Sequence, residues 1–273
     1  MTMRTLLISK LLKKYNIKPS KRLGQNFLID ESILNKIIEA ADLSSNDIVL
    51  EIGPGLGVLT VELTKKVGKV IAIEKDEKLA RILSNELRIM NIKNVEVIQD
   101  DILKIPDYQL PVTSYKLIAN LPYYITSPVI RKFLETKQRP ELMILMVQKE
   151  VAQRICAKPP RMNLLAISVQ FYASSPHQKF GSGDGPKIIS YVAKDSFYPQ
   201  PKVDSAIIQI IPKETPKIDT EKFFNLVRAG FSSKRKMLKN NLPGIDFEKI
   251  GLNPKIRAEN LSIDDWLKIY ENL

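Results

Sequence analysis

The feature that most limits how this chain folds is a series of short apolar segments: Ile48 to Ile52, Lys69 to Ile73, Val95 to Ile98, Lys116 to Ala119 and Leu142 to Val147. A continuous run of β-branched residues has no polar face to give to water, so a strand built from it is buried on both sides. Helical spacing fills most of the intervals, at 57–67, 76–90 and 127–137. Strands alternating with helices predict an α/β fold, with a mostly parallel sheet covered by helices on both faces. Two later runs, Ile188 to Ala193 and Ala206 to Ile211, are also strand-like. The proline-containing loop between them is too long for a two-residue hairpin turn.

Upstream of these runs, residues 1 to 29 hold seven basic residues (Arg4, Lys10, Lys13, Lys14, Lys18, Lys21 and Arg22) and no acid before Asp30. A helical pattern from Thr5 to Tyr15 breaks at Pro19. This segment is either a solvated basic helix or an arm that meets phosphates. Asp30 is placed to cap a helix whose apolar residues Ile33, Leu34, Ile37, Ile38 and Ala41 recur at helical spacing. After Pro212 the stretch KETPKID reads as a linker, and helical patterns follow at Glu221 to Phe231, Lys234 to Asn241 and Ile263 to Leu273. The expected organisation is a basic arm (1–29), a catalytic domain (30–212) and a small all-helical C-terminal domain (213–273).

With 273 residues, 44% of them hydrophobic, the chain can bury one large core and a small satellite, which excludes a disordered or fibrous protein. Lys and Arg total 42 against 30 acids, and the net charge of +12 draws polyanions, nucleic acid ahead of anionic membrane. The single cysteine, Cys156, excludes an intramolecular disulfide. No apolar run approaches the roughly 18 residues of a membrane span, and Leu6-Leu7-Ile8 is too short for a signal-peptide core. A cytoplasmic monomer without a membrane anchor is expected. The lone histidine, His177, sits in the polar stretch SSPHQK, so neither histidine catalysis nor a metal site is expected.

The segment VLEIGPGLGVLT sets Gly53, Gly55 and Gly57 where the first strand of the series passes into a helix. A glycine-rich turn there lets a ligand approach the backbone at the carboxyl edge of the sheet. The spacing departs from the dinucleotide fingerprint, because the third glycine comes one place early and Pro54 removes an N–H. A Walker loop is absent. Acids surround the turn instead: Glu51 before it, Glu74 at the end of the second strand, and Asp100-Asp101 after the third. Carboxylates repel a diphosphate and suit a cation rich in hydroxyls and amines. Glu74 can accept both hydroxyls of a ribose. S-adenosylmethionine, with its sulfonium, ammonium, ribose and adenine, fits that chemistry.

At the end of the fourth strand stands Asn120-Leu121-Pro122-Tyr123, within LIANLPYYIT. The exocyclic amine of adenine is a weak nucleophile because its lone pair is delocalised into the ring. The Asn120 carboxamide oxygen, helped by a backbone carbonyl, can accept from that amine and localise the lone pair toward a methyl group. Pro122 stiffens the loop. Tyr123 can stack on a base turned out of its helix, a contact typically worth ~1–3 kcal/mol. No base has to act early, because the nitrogen becomes acidic once methylated.

Together, KRLGQNFLID, LEIGPGLGVLT, IEKD, NLPYYIT, MVQKEVAQRI, FYPQPKVDSA and FSSKRKMLKNNL resemble the ribosomal RNA adenine N6-dimethyltransferases. The similarity is greatest to the branch that dimethylates two adjacent adenines near the 3′ end of small-subunit (16S) rRNA, and it runs from about Lys21 to Leu267. The resemblance implies a Rossmann-like methyltransferase domain, S-adenosylmethionine as cofactor, and work on a pre-30S particle during small-subunit biogenesis. It implies that Asn26 and Leu28 join Gly53, Gly55, Glu74, Asp101 and Asn120 around the cofactor, and that Phe197 forms a second aromatic wall opposite Tyr123. It also implies that the helical tail docks on the particle, where the charges of Lys234, Arg235 and Lys236 would meet phosphates. Two departures stand out: Tyr124 where the family usually has asparagine, and Leu165-Ala166 where glycine-arginine is common.

A large-subunit rRNA adenine methyltransferase is the nearest alternative, and the NLPY form with the FYPQPKVDS loop favours the small-subunit branch. A non-catalytic RNA-binding assembly factor would be expected to have lost Gly53, Glu74 or Asn120, and all three are present. A DNA adenine methyltransferase more often carries an Asp/Asn-Pro-Pro-Tyr motif, and Pro54 with the acidic pocket disfavours a dinucleotide oxidoreductase.

Overall fold

The computed structural model describes residues 3–107, 114–173, 185–233 and 235–273. His177 with its polar stretch, and Lys234, lie outside the described residues. The chain divides into two compact units, one of residues 1–152 and 187–211, the other of residues 153–186 and 212–273.

The first unit opens with α1 (Met3–Lys14), β1 (Phe27–Leu28) and α2 (Glu31–Ala40). It continues through β2 (Ile48–Ile52), α3 (Val58–Thr64), β3 (Lys69–Glu74), α4 (Glu77–Ile89), β4 (Val95–Gln99), β5 (Lys116–Asn120), α5 (Thr126–Glu135) and β6 (Leu142–Gln148). Helix α6 (Lys149–Ile155) leads out into the second unit, where α7 (Leu164–Ala173) follows. The chain returns for β7 (Lys187–Val192), β8 (Phe197–Tyr198) and β9 (Ser205–Ile210). The seven-stranded sheet has the order β4-β3-β2-β5-β6-β9-β7. Strands β2 to β6 run parallel, and β9 and β7 add antiparallel at one edge.

The parallel reading of the apolar runs is borne out, with each strand ending within a residue of its expected place. Central strands β2, β3, β5 and β6 are buried along nearly their whole length. Edge strand β4 is not: Glu96 and Gln99 are exposed, because only one neighbour and one helix cover it. The Asp30 cap is where the sequence sets it. Asp30 accepts the N–H groups of Ser32 and Ile33 at the head of α2, and Asp76 does the same for Lys78 and Leu79 at the head of α4.

The basic arm is not detached. Ile8 and Leu12 on one side of α1 pack with Phe27, Leu56, Leu79 and Ile82, while Lys10 and Lys13 stay exposed. Lys14 pairs with Glu86 on α4 at 2.6 Å, and the Tyr15 hydroxyl donates to the same carboxylate. Residues 1–29 therefore belong to the first unit.

The second unit corrects the expected domain boundary. Residues 153–186, placed above in the catalytic domain, group with the C-terminal helices. Helix α7 is apolar nearly all round, and its Phe171 ring stacks on Phe223 of α8 (Thr220–Gly230) with centroids 4.9 Å apart. Phe224 and Tyr172 extend the cluster. Below it, α10 (Ile263–Glu271) presses Trp266 against Gly230, where an added Cβ would lie 2.2 Å from a ring carbon. The expected helix from Lys234 to Asn241 also shrinks, to α9 (Leu238–Asn241). At its start the Leu238 N–H donates to the Ile256 carbonyl at 2.7 Å. Arg235 and Lys236 accordingly lie in a turn, exposed, and not on a helix face.

Candidate active site at the carboxyl ends of the parallel strands

Strand β2 has β3 on one side and β5 on the other, so the chain reverses its course across the sheet at β2. A doubly wound sheet opens a crevice outside the strand ends at such a point. All seven expected cofactor residues line one crevice here: Asn26, Leu28, Gly53, Gly55, Glu74, Asp101 and Asn120. Pro122 and Tyr124 line it too, and Leu121, Tyr123 and Phe197 do not.

The glycine turn is shaped by what it must touch. Gly55 has a φ of +60° and a Cβ there would come 3.0 Å from the Phe27 ring. Its N–H donates to Glu74 Oε2 at 3.0 Å. Gly57, with φ +81°, caps α3, and a Cβ would strike Leu83 at 2.4 Å. Both positions require glycine for conformation as well as space.

Glu74 is fixed from two sides, since the Asp76 N–H donates to its Oε1 at 2.8 Å. Burial raises its pKa, and these backbone donors pull the other way. Each carboxylate oxygen retains a second lone pair. Glu51 lies deeper, 2% exposed, and its Oε2 has no hydrogen-bond partner. Burial pushes its pKa up to about 8, with the charge of Glu74 adding to the shift. The nearby Thr60 hydroxyl opposes that shift but makes no hydrogen bond within ordinary geometry. Asp101 differs. Burial acts against its ionised form, but the Lys75 ammonium at 2.8 Å and the Leu103 N–H hold its pKa below the usual value.

Asn120 donates from Nδ2 to the Asn26 carbonyl at 3.2 Å. That bond commits the nitrogen side of the amide and leaves Oδ1 as its free acceptor. Asn26 in turn donates to the Gly24 carbonyl at 3.2 Å. Leu121 is buried and donates its N–H to Met146 on β6 at 3.3 Å, which anchors the loop. The ring of Pro122 packs over Gly53, 3.6 Å from where a Cβ would be. Tyr123 is half-buried, with its hydroxyl 2.8 Å from Ser205 Oγ, and burial raises its pKa. Beside it Tyr124 is 49% exposed.

The expected second aromatic wall is not presented. Phe197 is 3% exposed and packs in the core, opposite Leu28 in the short β1–β8 ladder. Strand alternation turns Phe197 inward and its neighbour Tyr198 outward. Arg235 and Lys236 belong to the second unit and form no ion pair among the described residues.

Residues 16–273 match the family described as ribosomal RNA adenine dimethylase. The chain belongs to that family. A ribosomal RNA small subunit methyltransferase A from Dehalococcoides mccartyi is 44% identical, with 95% of this chain and 90% of that protein covered. One from Clostridium botulinum is 41% identical, with coverage of 95% and 96%. Among solved structures, a dimethyladenosine transferase from Plasmodium falciparum has a TM-score of 0.77 at 30% identity, covering 90% of this chain and 96% of that one. The 23S rRNA methyltransferase ErmE has a TM-score of 0.74 at 26% identity, covering 91% and 99%. As a ribosomal RNA adenine dimethylase, the protein is a methyltransferase that uses S-adenosylmethionine.

The crevice fits that cofactor. An unpartnered buried carboxylate oxygen on Glu51 is an acceptor for a cationic or N–H group, and Glu74 offers two fixed oxygens to a diol. Among the lining residues of this dimethylase crevice to which the sequence assigned no role are the polar side chains of Gln25, Lys75 and Tyr124. Lys75 follows Glu74 directly, and that adjacency was the one available signal.

Proposed function

We propose that the protein dimethylates N6 of two adjacent adenines near the 3′ end of small-subunit rRNA. The observation that carries this reading is the Asn120 amide, tied through Nδ2 to the Asn26 carbonyl so that Oδ1 is free to accept. S-adenosylmethionine would supply an electrophilic methyl group, its sulfonium–methyl bond breaking and S-adenosylhomocysteine departing as the neutral thioether. Glu74 accepts the two ribose hydroxyls, and Glu51 receives a positively charged donor. Asn26, Leu28, Gly53, Gly55 and Asp101 complete the enclosure of the cofactor. Asn120 Oδ1 accepts from the adenine amine and directs the nitrogen lone pair toward the methyl group. Pro122 stiffens that loop, and Tyr123, pinned at its hydroxyl by Ser205, offers a ring face to the base. The amine proton, made acidic by methylation, leaves to water, so no side-chain base is assigned.

The identity to proteins named for the small subunit, above that to ErmE, supports the small-subunit target over 23S rRNA. Exposed Lys10, Lys13, Lys18, Lys21 and Arg22, with Arg235 and Lys236, supply charge for phosphates. Such contacts position the RNA without reading its sequence. Among the described residues no helix is long and apolar enough to cross a membrane. The proposed setting is a pre-30S particle in the cytoplasm, with the enzyme acting as a monomer. The test is methylation of small subunits lacking the modification, followed by digestion and mass analysis. N6,N6-dimethyladenosine in the small-subunit rRNA is expected; methyl groups confined to 23S rRNA would overturn the proposal.

A further inference from the structure

One wall of the crevice is formed by Leu23 to Asn26, the end of the segment that joins the basic helix α1 to β1. Gln25 ties this segment down. Its Nε2 donates to Asp76 Oδ2 at 2.9 Å, and its Oε1 accepts the Ser20 N–H at 2.7 Å. Its own N–H returns to the Ser20 carbonyl at 3.2 Å. Asp76 caps α4 through Oδ1 and donates its N–H to Glu74. An unbroken chain of hydrogen bonds therefore runs from Glu74 through Asp76 and Gln25 to Ser20. One residue further on, the Asn26 carbonyl takes the amide of Asn120. The chain on either side of Ser20 carries Lys18, Lys21 and Arg22, exposed and without ion pairs among the described residues.

We infer that Gln25 is a positioning residue that couples cofactor binding to RNA binding, by locking the basic segment Lys18–Arg22 to the turn that carries Glu74. The inference rests on the RNA substrate proposed above. A cofactor that engages Glu74 restrains the Asp76 turn, and Gln25 passes that restraint to the segment whose cations face phosphates. Linkage makes the effect mutual: RNA tightens the cofactor by the same factor as the cofactor tightens RNA. A plain structural brace would lower stability and leave this factor unchanged.

The test measures S-adenosylhomocysteine binding by calorimetry, and the affinity for unmethylated small subunits with and without saturating S-adenosylhomocysteine. Parent protein, Gln25→Met and the paired change Gln25→Glu with Asp76→Asn are compared. Gln25→Met keeps the side-chain length and removes both side-chain hydrogen bonds. It is expected to weaken S-adenosylhomocysteine about tenfold, the factor that about 1.4 kcal/mol of lost hydrogen bonding gives. It is also expected to abolish the effect of cofactor on subunit affinity, and to raise the KM for cofactor while kcat at saturation holds. The paired change reverses the polarity of the 25–76 bond, keeps a capping residue at 76, and is expected to restore the coupling. Gln25→Met with the parent's coupling factor would overturn the inference, as would a parent that shows no coupling. A parent that binds no small subunits would remove the substrate reading instead, and the S-adenosylhomocysteine measurement would still decide whether Gln25 positions the cofactor turn.

Discussion

Replacing Glu51 by glutamine asks whether the floor of the crevice is built to receive a cation. The free carboxyl is almost wholly buried, and burial carries its pKa from 4.5 to about 8. Between those values the folded protein keeps a proton that the unfolded chain has released. Raising the pH through that window therefore costs stability, at up to ~1.4 kcal/mol per pH unit for one proton. From pH 5 to pH 8 the sum is about 3 kcal/mol. Glutamine has the same shape and no proton to lose. Urea titrations of parent and Glu51→Gln over this range should diverge by that amount, the parent falling relative to the variant as pH rises. Other titrating groups are common to both proteins and cancel in the difference. A positively charged cofactor beside Glu51 favours the ionised form, so binding at pH 7 should release about one proton in the parent and none in the variant. Calorimetry in buffers of different ionisation enthalpy counts that proton. Parallel stability curves would refute the reasoning, because they would mean that Glu51 titrates normally in the fold.

Glu74→Ala should weaken S-adenosylmethionine binding by about 2–3 kcal/mol, the scale of charge-assisted hydrogen bonds to two hydroxyls, with the dissociation constant as readout. Asn120→Ala should lower kcat strongly and RNA affinity little, since its oxygen acts most on the transition state; a near-normal turnover would reduce Asn120 to a loop anchor. Arg235→Glu with Lys236→Glu should weaken subunit binding and flatten its dependence on salt, with cofactor affinity unchanged, because every cofactor residue lies in the other unit; equal slopes would make the pair a solvated turn.

Much of this was legible in the sequence because it depends on local pattern. Strands β2 to β6 follow from short, mostly apolar runs, and Glu74 and Asn120 from their places at strand ends. Asp30 caps its helix because a short carboxylate two or three residues before an N–H reaches it without tertiary help. What stayed hidden depends on partners far along the chain. Gln25 meets Asp76 across 51 residues, and no spacing rule reaches that distance. Helix α7 joins the tail because Phe171 finds Phe223, so the boundary drawn at a linker was misplaced. The helical reading of Arg235 and Lys236 failed just before Leu238, whose N–H turns to Ile256. Phe197 shows the limit of carrying a role over by resemblance, since its ring packs against Leu28 in the fold that stands here.

The order of strands at the antiparallel edge bears on how the chain is made. Strand β7 leaves the ribosome before β9, yet β9 is its neighbour in the sheet and also the neighbour of β6. A nascent chain stopped anywhere between Gln148 and Ser205 thus holds all the parallel strands, with the backbone donors and acceptors of β6 bare along one side. Such an open edge invites pairing with another chain. Roughly a quarter of the protein, from Gln148 to Ile210, has to be synthesised after the last parallel strand before the catalytic sheet is sealed, and during that interval the growing chain is most in need of a chaperone.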